Sequence, residues 1–117
     1  MLTVGPKVRV FICTEPVDMR KSFNGLCGIV STRLESDPLS GDLFVFANRR
    51  RTLLKILYWD RDGLAIWYKR LERGTFEMPS VNELGRVEMT SVELAMLLGG
   101  VELSGRKNRL RFSFDEK

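Results

Sequence analysis

Arg49, Arg50 and Arg51 are consecutive, and they are followed by Lys55, Lys69, Arg70 and Arg73. A guanidinium carries five N–H donors in a planar fork that matches phosphate oxygens. Such a cluster on a short, rigid connection grips a nucleic-acid backbone and positions a protein on it without reading sequence. Tyr58, Trp59, Trp67 and Tyr68 are interleaved with these cations, the combination used to stack unpaired bases. Aromatic residues at alternating strand positions more commonly pack across strands or into the core, and packing is the stronger reading for these four.

Acid chemistry is the competing interpretation of the same region. Asp60, Asp62 and Glu72 resemble a carboxylate set for two-metal phosphoryl transfer. However, the two aspartates fall in a turn ending at Gly63, where turn geometry explains them, and Glu72 is flanked by Arg70 and Arg73. The chain contains no histidine, which removes His-based acid–base work, Ser/His/Asp and Cys/His nucleophiles, and His-ligated metal sites. No catalytic residue, metal site or cofactor is expected. Cys13 and Cys27 lie in apolar patterns and are expected as buried free thiols.

Charge is distributed by segment. Residues 49–73 hold eight basic and three acidic side chains, and 104–117 hold five and two. By contrast, 1–48 hold five of each, and 74–103 hold one basic and five acidic. Positive charge gathered into one stretch and a tail is the footprint of a polyanion-binding face. Apolar runs such as Leu94 to Leu98 fall far short of the roughly 20 residues of a membrane helix, so a cytoplasmic protein with no membrane partner is expected.

The elements that must position these residues are legible in outline. At 117 residues, 44% of them hydrophobic, the chain suits one domain, assigned to 1–103, followed by a basic C-terminal tail at 104–117. The tail reads equally as an added strand or as an arm that orders on a partner. Lys7 to Cys13 alternates as a strand. Asp18 is placed as the N-cap of a helix from about Met19 to Glu35 that buries Met19, Phe23, Leu26, Val30 and Leu34. Arg20 and Lys21 then fall in its first turn, where the helix dipole disfavours cations, and an anionic partner would account for them. Strands follow at 42–47, 52–59 and 64–70, joined by Asn48 to Arg51 and by Asp60-Arg61-Asp62-Gly63, a hairpin signal. Short strands are expected near 75–78 and 86–89. Thr90 with Glu93 forms a capping-box pattern for a second helix ending at Gly99-Gly100. The expected class is α+β: a mainly antiparallel meander of about four to five strands with two packed helices.

Three segments carry a family resemblance: TEPVDMRKSFNGLCGIV (14–30), DPLSGDLFVFANRRRTLLKILYWDRDGLAIWYKRLERGTFEMP (37–79) and LAMLLGGVEL (94–103). They resemble the short second-reading-frame accessory proteins, TnpB, of the bacterial insertion sequences grouped as family sixty-six. The runs Asp-Met-Arg-Lys and Tyr-Lys-Arg-Leu-Glu-Arg-Gly are the most specific part of the likeness. The resemblance implies a non-catalytic accessory factor for transposition that works beside a large transposase and a companion subunit of the same element. It fits a DNA-binding role through Arg49, Arg50, Arg51, Lys55, Lys69, Arg70, Arg73, Arg20 and Lys21, or an adaptor role that docks on the transposase without touching nucleic acid.

Overall fold

A computed structural model describes residues 7–79 and 87–99. The elements are β1 (Val10–Ile12), α1 (Phe23–Thr32), β2 (Leu43–Ala47), β3 (Leu53–Asp60), β4 (Gly63–Arg70), β5 (Glu88–Met89) and α2 (Ser91–Gly99). They form one five-stranded sheet in the order β4-β3-β2-β1-β5, an α+β arrangement. The meander β2-β3-β4 is antiparallel as expected, and β5 pairs antiparallel with β1. One junction departs from the expected pattern: β1 runs parallel to β2, with Val10 opposite Leu43. Because α1 lies between these two strands, it carries the chain back to the end where it began, and the returning strand is parallel.

Strand alternation divides the interior into two cores on opposite faces. On one face Val10, Ile12, Val45 and Ile56 pack with Leu94 and Leu97 of α2 and with Phe76. On the other, Phe11, Phe44, Phe46 and Leu57 pack with Leu26, Ile29 and Val30 of α1. All five residues of β2 are buried, so LFVFA is a continuous apolar run instead of an alternating one.

The first helix is shorter than its sequence pattern. Asp18 does not cap it: its carboxylate accepts the backbone N–H of Arg20 (2.9 Å) and its carbonyl accepts that of Lys21 (3.0 Å) in a turn before the helix. The helix starts after Ser22, which makes no side-chain capping bond. Its buried stripe is Leu26, Ile29 and Val30, with Met19 and Leu34 half-buried beside it. Phe23, expected in that stripe, is 43% exposed. The helix closes with Ser36 N–H donating to the Val30 carbonyl, and Glu35 (φ 49°) takes the left-handed position usual for glycine.

The remaining local signals divide. Thr90 and Glu93 form both capping-box bonds, at 2.7 and 3.0 Å. The Asp60–Gly63 hairpin exists with a two-residue loop, but the positive φ (56°) falls on Arg61 and not on the glycine. The expected strand at 75–78 is irregular chain that nevertheless buries Phe76, whose N–H donates to the Arg51 carbonyl. Cys13 and Cys27 are unbridged; Cys13 is buried and Cys27 half-buried, which pushes its thiol pKa up. The 104–117 tail lies outside the described residues. Among the described residues, no helix is long and apolar enough to cross a membrane.

Candidate nucleic-acid interface

The turn between β2 and β3 is built by Asn48. Its Oδ1 accepts the backbone N–H groups of Thr52 and Leu53 at 2.9 and 3.0 Å, and its carbonyl accepts that of Arg51. Arg51 adopts φ 61° to complete the reversal. Arg49 and Arg50 are thereby displayed at an exposed apex with fixed backbone. Facing them is the segment before α1, docked on the end of β2 by the Val17 N–H to the Ala47 carbonyl (2.9 Å) and by the buried Val17 side chain.

Between these two walls lies a cleft of about 670 Å³, lined by Arg20 and Asp18 on one side, Arg49 and Arg50 on the other, and Leu53 and Tyr68 on the sheet. Tyr68 is 52% exposed. Its cross-strand partner is Lys55, which is only 7% exposed. The Lys55 Nζ donates to the carbonyls of Met19 and Lys21, both at 2.8 Å, and stands 4.7 Å from the centroid of the Tyr68 ring. This ammonium therefore ties the wall bearing Arg20 to the sheet and braces the aromatic floor, a cation–π contact within the usual range.

Arg20 forms a close pair with Asp18, with Nη2 to Oδ2 at 2.6 Å. Hydrogen bonds from the Arg20 side chain and backbone N–H hold the Asp18 carboxyl down to about 2, and the same pairing pushes the guanidinium further up. The Arg20 side chain remains 91% exposed, so its outer N–H groups face solvent and the mouth of the cleft.

Arg20, Arg49 and Arg50 are thus brought together. The helix-dipole reason offered for Arg20 and Lys21 does not hold, because both precede α1. Lys21 is exposed but does not line the cleft. Arg51 turns to the other side of the hairpin, where its Nη1 reaches the Met78 carbonyl (3.4 Å) over a smaller hollow of about 220 Å³. Lys55 is a correction: a phosphate contact needs an exposed ammonium, and this one is buried with its protons committed to backbone and ring. Lys69 and Arg70 are both exposed, but adjacent strand positions point to opposite faces. Arg70 lies opposite Leu53 on the cleft side with Nε on Glu72 (3.0 Å), whereas Lys69 lies opposite Leu54 on the α2 side. Arg73 is exposed just past β4.

Tyr68 is the functional candidate that sequence reasoning discounted. The usable signal was Lys55 itself, a cation inside LLKIL, where a buried strand position demands partners for its charge. Tyr58 and Trp67 do pack, against the α2-side core. Asp60 and Asp62 occupy the far hairpin, and among the described residues no three His, Cys, Asp or Glu side chains are grouped to hold a metal.

No solved structure matches the chain. Two proteins of Sinorhizobium fredii (strain NBRC 101917 / NGR234) are similar to it. "Uncharacterized protein y4jC" is 36% identical over 108 residues, covering 91% of this chain and 92% of the relative. "Uncharacterized protein y4hO" is 41% identical over 102 residues, covering 87% and 88%. A family model described as "IS66 Orf2 like protein" matches residues 8–108.

Proposed function

Because the chain belongs to the IS66 Orf2-like family, whose role is accessory to transposition, we propose that it assists the element's transposase by holding DNA in the Arg20, Arg49 and Arg50 cleft. The observation that carries this reading is convergence: arginines roughly 30 residues apart in sequence meet across one cleft with an exposed tyrosine on its floor. Among the described residues lining the cleft, three arginines against the single carboxylate of Asp18 leave it positive, and Lys55 adds a buried cation behind it. Anions are drawn to such a concavity because its low-dielectric walls focus the field. Arg70 extends the positive edge, and Arg73 and Lys21 lie around it as weaker, peripheral contacts, whereas Lys69 lies on the other face of the sheet and Arg51 on the other side of the hairpin. No bond-breaking step is assigned to this chain; cutting belongs to the transposase, and the companion subunit is a further partner.

Two substitutions test the proposal. Arg49→Ala with Arg50→Ala removes charge at an exposed apex and leaves the Asn48-built turn in place. DNA affinity is expected to fall for all sequences alike, and the slope of log affinity against log salt to flatten by roughly 2, about 0.9 per lost phosphate contact. The readout is a titration with element-end DNA at several salt concentrations, beside a pull-down with the transposase. Unchanged DNA binding together with loss of the transposase would assign the cleft to protein docking instead.

A further inference from the structure

Resting on the DNA reading of this cleft, we propose that its ligand is DNA with unpaired nucleotides, one base stacking on Tyr68 while the arginines hold the phosphates on either side. A grip on duplex backbone alone has no use for a half-exposed phenol ring between its cations, yet that is what the cleft floor presents. The ring is also braced. Lys55 stands against it at 4.7 Å, held by two backbone carbonyls, and among the described residues no carboxylate pairs with this lysine. A buried ammonium placed in this way fixes the ring's position and keeps a positive potential under the cleft, so little ordering remains to be done when a base arrives.

Size and arrangement agree. About 670 Å³ lies inside the roughly 300–1,000 Å³ range of small-ligand sites, room for one nucleotide unit. Arg20 rises from one wall and Arg49 and Arg50 from the other, so guanidinium groups stand on both sides of a base stacked on the cleft floor. Stacking platforms flanked by cations are how single strands are held without sequence preference.

The test compares one mixed-sequence oligonucleotide as a single strand, as a duplex, and as a single strand with abasic sugars, by fluorescence anisotropy at fixed salt. The wild-type protein should bind the single strand more tightly than the duplex. Removing the bases should weaken binding by about 5- to 150-fold, the contribution of one stacked base. Tyr68→Leu, which keeps an apolar cover over Lys55, should produce the same loss on the intact strand and no further loss on the abasic one, while Tyr68→Phe retains affinity. The abasic comparison uses the unaltered protein, so it stands even if a Tyr68 variant folds poorly. Equal binding of abasic and intact strands, with affinity still dependent on Arg49 and Arg50, overturns this inference alone. Failure to bind either form of DNA overturns it together with the DNA reading.

Discussion

At Lys55 an ammonium group sits inside the sheet with two backbone carbonyls and a π face as partners, in place of a carboxylate. Desolvating the charge is costly, and the carbonyls of Met19 and Lys21 recover that cost only while the segment before α1 stays docked. Lys55→Met, similar in volume, should therefore destabilise the fold by about 1–3 kcal/mol. It would appear as a lower urea midpoint at unchanged m; an unchanged midpoint would mean that the bonds only balance the desolvation. Asp18 supplies a pH-dependent counterpart. Its carboxyl is lowered from the ordinary 3.8 to about 2 by hydrogen bonds from Arg20. The pairing thus stabilises the fold above pH 3.8, and this contribution disappears as pH falls through about 2. Carbon-detected NMR titration should find Asp18 titrating low, and Arg20→Ala should return it toward 3.8. From the sequence Lys55 reads as a phosphate contact; its apolar neighbours in LLKIL could have pointed to burial, but its acceptors, which lie 34 and 36 positions away, could not be read from the sequence.

The elements differ in how far local chemistry determines them. The Thr90/Glu93 box and the Asp60–Gly63 hairpin were legible because each is completed within four residues. Thr90→Ala should accordingly cost about 1 kcal/mol, measured by thermal unfolding. The period of α1 was equally visible, but its phase was not, since Phe23 and Ile29 flank the same Leu26 and Val30. Residues 19–22 are not helical, and two of their carbonyls are taken by Lys55, which leaves Phe23 in the first turn. Leu26→Ala should then destabilise by about 2–5 kcal/mol, with Phe23→Ala below about 1 in the same denaturant series. The parallel pairing of β1 with β2 was hidden for another reason. The alternation of Lys7 to Cys13 marks a strand, but a three-residue strand buried at every position carries nothing that selects its neighbour or its direction.

For the whole molecule, the sheet sorts the positive charge onto two sides. Clustering along the sequence pointed to a basic face, but only the fold places Lys69 on the face away from the cleft and turns Arg51 to the smaller hollow, which Arg49 also borders. Lys69→Ala should leave the salt slope of DNA binding unchanged, whereas the Arg49/Arg50 double variant flattens it; equal effects would mean that both faces engage DNA. Among the described residues the two cores share no side chain, and β5 with α2 contributes only to one of them. Two consecutive amides report on the two edges of β1: Ile12 N–H donates toward β5, to the Val87 carbonyl, and Cys13 N–H, just past the strand, toward β2, to the Val45 carbonyl. The β5–α2 unit can therefore lift away as a sub-global opening while the α1-side layer stays closed. In native-state hydrogen exchange, Ile12 should exchange through a lower-energy opening than Cys13 or Val17. Added DNA should slow Val17 and leave Ile12 unaffected, because opening at the β5 edge leaves the cleft side closed.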